Sequence, residues 1–90
     1  MEFEWDENKA AANLSNHGVA FDEAKTVFED DLYVDFYDID HSYDECRYII
    51  VGQSKFGRLL IVSYTDREDV TRLISARKAT RRERQAYEEG

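Results

Sequence analysis

Apolar residues recur along this chain with two different periods, and their order predicts the architecture. Behind Asp6, a good N-cap, Ala10, Ala11 and Leu14 have helical spacing, so a short amphipathic helix should run through Asn16 and stop at Gly18. Lys9 and Asn13, four apart, share its polar side, and His17 falls at its C-terminal end. Phe21, Ala24, Val27 and Phe28 repeat the helical spacing, predicting a second helix closed by Glu29-Asp30-Asp31 with both phenylalanines in the core. The period then shortens to two. Leu32 to Tyr37 alternates strictly and reads as a half-buried strand, followed by a polar acidic loop from Asp38 to Glu45. The β-branched run from Arg47 to Gly52 predicts a central strand. Gln53 to Gly57 makes a hairpin turn, and Leu59 to Tyr64 is a strand with apolar residues on both faces. A turn at Asp66 to Asp69 leads into a last strand, Val70 to Ala76, and Phe3 to Trp5 adds a short extended piece at the front. Thr80 and Glu83 have the spacing of a capping box, so a final helix should begin at Arg81.

These elements define an α+β domain, with two N-terminal helices and a C-terminal helix on an antiparallel sheet of four to five strands. Residues 1–90 form one domain, without repeats, linkers or low-complexity segments. A hydrophobic fraction of 42 % with 5 Phe, 6 Tyr and 1 Trp supports a folded globule. The start has no apolar leader, no stretch is long enough to cross a membrane, and Cys46 is the only cysteine. The expectation is a reducing, cytoplasmic setting without membrane attachment.

Charge sharpens this picture. The net charge is −8, yet residues 1–45 carry 14 acidic and 2 basic side chains and residues 46–90 carry 6 and 10. The split suggests one surface for an anionic partner and another for a cationic one. Half of the basic side chains lie between Arg72 and Arg84: Arg72, Arg77, Lys78, Arg81, Arg82 and Arg84. Arg81 and Arg82 would occupy the first helical turn, where the dipole disfavours cations but the N–H groups attract anions.

Other chemistries are excluded by spacing. The loop residues Asp38, Asp40, His41, Asp44 and Glu45 offer metal ligands, but Tyr43 stands where a calcium loop needs glycine and Ile49 where it needs glutamate. Zinc lacks its cysteines or helical histidine pair, so no metal or other cofactor is expected and the loop reads as solvated. Cys46 reads as a small buried hydrophobe and not a nucleophile. The arginines remain. Arg47, Arg58, Arg72 and Arg77 lie on strands or their edges and can converge on one sheet face to hold a phosphodiester. Metal-free RNA cleavage needs a base for the 2′-hydroxyl, cations on the phosphorane and a donor for the leaving oxygen. Arginines supply the second requirement; Lys9, His17, Glu45 or Tyr64 could supply the others.

The ordered motifs also carry a resemblance over nearly the whole length. They are Glu4-Trp5-Asp6 through Lys9, Asn13-Leu14, His17-Gly18-Val19, Phe21 to Ala24 and Val27 to Asp30, then Glu45-Cys46-Arg47 and Gly52. They continue with Gly57-Arg58 through Val62, Tyr64-Thr65, and Ile74-Ser75-Ala76-Arg77-Lys78-Ala79 with Glu83 and Tyr87. The series resembles the BrnT toxins of prokaryotic type II toxin–antitoxin systems. That resemblance implies a compact RelE-like fold and a metal-independent ribonuclease that arrests translation and growth. It also implies a BrnA-like ribbon-helix-helix antitoxin, in a 2:2 complex that represses the shared operon through operator DNA. Carried over, it makes Lys9, His17, Glu45, Arg47, Tyr64 and Arg77 catalytic candidates, and Arg58, Arg72, Lys78, Arg81 and Arg82 RNA-binding ones. Ser15-Asn16 departs from the lysine common in the family, and the net charge is negative for a nuclease. The rival reading is therefore a catalytically weak or inactive homologue acting mainly as an antitoxin-binding co-repressor.

Overall fold

Asp6 sets where the first helix begins. In the computed structural model, which describes Met1–Gly90, its carboxylate accepts the backbone N–H groups of Asn8 and Lys9, and α1 spans Glu7–His17. The helix stops where Gly18 turns left-handed, at φ 68°, and donates its N–H to the Leu14 carbonyl. Helix α2, Phe21–Ala24, continues as a 3-10 turn over Lys25–Glu29. The predicted second helix is thus present, but tightened in its second half, where the Thr26 hydroxyl donates to the Glu23 carbonyl at 2.6 Å.

Five strands form one sheet: β1 (Glu2–Glu4), β2 (Val34–Tyr37), β3 (Tyr48–Gln53), β4 (Leu59–Arg67) and β5 (Val70–Lys78), in the order β1-β5-β4-β3-β2. Neighbours are antiparallel except β1, which pairs parallel to β5 over Val70–Arg72. The sheet is therefore mixed, not purely antiparallel. No hairpin links β1 to β5, so nothing forces opposite directions. Ile50, Leu60, Val62, Tyr64, Leu73 and Ala76 face α1 and α2 and pack with Val19, Phe21, Ala24 and Val27. Close packing extends to the backbone: a Cβ on Gly52 would lie 3.0 Å from Val27 Cγ1.

A register shift at Ser63/Tyr64 decides which arginines share a face. Ser63 pairs with Ser75 but Tyr64 with Leu73, leaving Ile74 as the extra residue. Leu73 and Ala76 consequently both point into the core, and Arg72 and Arg77, of opposite sequence parity, both stand on the other face. Helix α3, Arg81–Glu89, also lies toward that face, where Ala86 and Tyr87 share a groove with Val34, Phe36 and Val51. The helices thus flank both sides of the sheet.

Three local expectations are corrected. Strand β2 is exposed at all four residues, because it is an edge strand beyond the reach of the core helices. Helix α1 buries Asn13 and leaves Leu14 53 % exposed, since the side chain turned to β5 satisfies its backbone. Cys46 is exposed, because β3 begins only at Tyr48.

Candidate active site

Strand β1 covers only Val70–Arg72, so the rest of β5 is a sheet edge. Asn13 closes it. Its amide donates to the carbonyls of Ala76 and Val19, both at 2.8 Å, and accepts the Ala76 N–H at 3.0 Å. These bonds satisfy peptide groups that an open edge would leave bare, and they fix the end of α1 beside β5. His17, one turn beyond Asn13, thereby lines a cavity of about 310 Å³ with Arg77 and Ser75 of β5 and Ser63 of β4.

The opposite wall comes from the acidic loop. Ile39–His41 forms a 3-10 turn fastened to Arg47: the Asp38 N–H donates to the Arg47 carbonyl at 2.8 Å, and the Arg47 N–H donates to the Ser42 hydroxyl at 3.0 Å. The Ser42 hydroxyl in turn donates to the Asp38 carbonyl at 2.5 Å. Asp38, His41 and Arg47 all line the cavity, and His41 Nδ1 lies 3.0 Å from Asp38 Oδ2.

The two cavity arginines differ. Arg77 forms a two-pronged pair with Glu83 of α3, both bonds 2.8 Å. The fork raises the Arg77 pKa and, with the Thr80 N–H, pulls the Glu83 carboxyl down to about 2. Glu83 also completes the capping box with Thr80, so one carboxylate joins Arg77 to the start of α3. Arg47 is less satisfied. Its Nε is buried without a hydrogen-bond partner, and Glu45 Oε1 lies 3.6 Å away. The Glu45 carboxylate offsets the Arg47 charge without a hydrogen bond, and Arg47 also lines the cavity.

His17, Arg47 and Arg77 are the sequence-derived candidates that meet in the cavity. Glu45 adjoins it, bridging Arg47 and Arg67. Lys9 is exposed on α1, and Lys78, Arg81 and Arg82 follow Arg77 as exposed cations; none of the four is held in an ion pair. Three candidates lie elsewhere. Arg58 reaches the helix side, where it forks onto buried Glu23 and donates to the Gly18 carbonyl, lowering the Glu23 pKa. Arg72 pairs with Glu4 of β1 at 2.6 Å. Tyr64 is in the core, stacked on Tyr48, with its hydroxyl donating to Asp35 at 3.0 Å. Burial and then Asp35 push its pKa up, so it stays protonated.

Asn13, Asp38, His41, Ser63 and Ser75 are cavity-building residues that sequence reasoning left aside. Asp38 and His41 carried a usable signal, an Asp–His pair at i,i+3, which one turn of helix brings into contact. The serines had none, because they join the site only through strand pairing and the bulge.

Three helices, this strand order and an arginine-lined cavity define a small α+β protein with a cationic site on its sheet. Residues 5–83 match the family described as "Ribonuclease toxin, BrnT, of type II toxin-antitoxin system". The chain belongs to the BrnT family of ribonuclease toxins. It is also similar in fold to the crystal structure of the Brucella abortus ribonuclease toxin BrnT, with a TM-score of 0.70 at 20 % identity, covering 90 % of this chain and 99 % of that one. The sequence has no match among curated proteins.

Proposed function

We propose that the chain is an endoribonuclease that cleaves RNA without metal and so inhibits translation and growth. The scissile phosphate sits in the cavity between Arg47 and Arg77, and Lys9, Lys78, Arg81 and Arg82 hold flanking phosphates. The observation that carries this reading is the meeting of Arg47, Arg77 and His17 in one cavity. A phosphate oxygen accepts hydrogen bonds from the cavity arginines, and their charge stabilises the charge growing on the phosphorane. The attacking 2′-oxygen bonds to phosphorus, the bond to the 5′-oxygen breaks, and the products are a 2′,3′-cyclic phosphate and a free 5′-hydroxyl.

The family's place in type II systems implies an antitoxin partner. We infer that it is a BrnA-like ribbon-helix-helix protein that caps the toxin in a 2:2 complex and, with it, represses the operon by binding operator DNA. One observation favours a second reading, that of a weak or inactive homologue retained mainly as co-repressor: Arg58, Arg72 and Arg77 are each occupied by a carboxylate. Purified protein incubated with RNA, with and without chelator, separates the two. Cleavage unaffected by chelator, and lost by about a hundredfold in Arg47→Ala, is the expected result. Intact RNA together with a tight antitoxin complex supports the second reading, and chelator-sensitive cleavage overturns the metal-free mechanism.

A further inference from the structure

We infer that His41 is the general base of the RNA-cleavage reaction, oriented by Asp38, and that His17 is the acid facing it. The inference rests on the cavity being the active site. Phosphodiester cleavage by a neighbouring hydroxyl needs two proton carriers on opposite sides of phosphorus, one beside the 2′-oxygen and one beside the departing 5′-oxygen. The cavity provides two histidines on separate walls. His17 comes from the end of α1, held by Asn13, and His41 from the turn fastened to Arg47. No other imidazole exists in the chain.

The assignment of roles follows from the hydrogen bond. A carboxylate only accepts, so His41 Nδ1 carries the proton it donates to Asp38 Oδ2 at 3.0 Å. In the neutral ring this leaves Nε2 as a free lone pair, the form that removes a proton. The Asp38 side chain is only 12 % exposed and its N–H bonds the Arg47 carbonyl, so the carboxylate that aims His41 is itself fixed. The same loop thus places the base beside Arg47 on the cavity wall. His17 has no hydrogen-bond partner of its own in the protein and is exposed, free to give a proton to the 5′-oxygen. In the full step His41 Nε2 takes the 2′-hydroxyl proton, the 2′-oxygen attacks phosphorus, and His17 protonates the leaving 5′-oxygen. Asp38 is a positioning residue that never touches the substrate.

The test compares an ordinary oligoribonucleotide with one carrying a bridging 5′-sulfur at the cleaved linkage, whose thiolate leaves without a proton. His41→Ala should lose at least about a hundredfold in kcat on both substrates. His17→Ala should lose as much on the ordinary RNA but under about tenfold on the sulfur substrate. Added imidazole should restore part of the His41→Gly rate, and Asp38→Asn should lower kcat without changing KM. His41→Ala cleaving ordinary RNA within threefold of wild type, while Arg47→Ala is inactive, overturns this assignment and leaves the cavity as the site. His17→Ala and His41→Ala losing equally on both substrates overturns the division of roles. Arg47→Ala at the wild-type rate overturns the cavity itself, and with it this inference. Since His41 is exposed, its removal leaves the fold intact, as unchanged thermal melts will show.

Discussion

Arg77 and Arg47 show how one residue type takes two tasks in one cavity. Arg77 commits its fork to Glu83, so it joins β5 to α3 as well as lining the cavity. Arg47 keeps an unmet N–H. The Arg77–Glu83 fork also has a pH signature. Glu83 is depressed to about 2 from an ordinary 4.5. Its contribution to stability is complete above about pH 4.5 and disappears as pH falls toward 2. Glu23, lowered by Arg58, loses its contribution on acidification too. Asp30 behaves likewise, because the Gln53 and Leu32 N–H groups and the Tyr87 hydroxyl outweigh the burial that opposes its charge. Thermal melts should fall steeply between pH 5 and pH 2, and Glu83→Gln should be less stable at pH 7 but show a shallower acid decline. An unchanged slope would remove Glu83 from the account.

Among the elements, α1 is the one whose placement depends on a polar side chain. Hydrophobic spacing predicts its existence and its cap, both found as expected, but not the contact that docks it. A helix face with Ala10 and Ala11 has little apolar area to bury, and the three bonds of Asn13 make up the difference. Asn13→Ala strands the edge groups of Ala76 and the carbonyl of Val19, at a cost of roughly 1–3 kcal/mol. Chemical denaturation measures this, and RNA cleavage should fall as well, since His17 loses its anchor. A variant as stable as wild type would show that water replaces the amide. The C-terminal helix was the most legible element, because Thr80 and Glu83 declare its start through local bonds alone. The exposed β2 was the least legible: alternation reports two faces, but not whether anything covers them.

Across the whole molecule the linear charge split does not survive folding. Arg58 with Glu23, Arg72 with Glu4, and Arg47 and Arg67 with Glu45 pair the basic half with the acidic half. Exposed cations outside any ion pair are Lys9, Lys55, Lys78, Arg81 and Arg82, of which Lys78, Arg81 and Arg82 follow directly on cavity-lining Arg77. RNA affinity should therefore fall with added salt with a log–log slope of about −3, at about 0.7 per phosphate contact on single strands. Replacing Lys78, Arg81 and Arg82 together by alanine should remove about 2 from that slope. A slope unchanged by the triple substitution would place the RNA elsewhere. By itself the sequence determined the element order, the caps of α1 and α3, and membership of the BrnT family, because periodicity and capping are local and a motif series is ordered along the chain. Only the tertiary structure decided that β1 runs parallel to β5, that a bulge puts Arg72 and Arg77 on one face, and that Arg58 and Tyr64 turn toward the helices. It also decided that His41 and His17 line one cavity. Those outcomes depend on strand pairing and loop closure between residues far apart in sequence, and no local pattern encodes them.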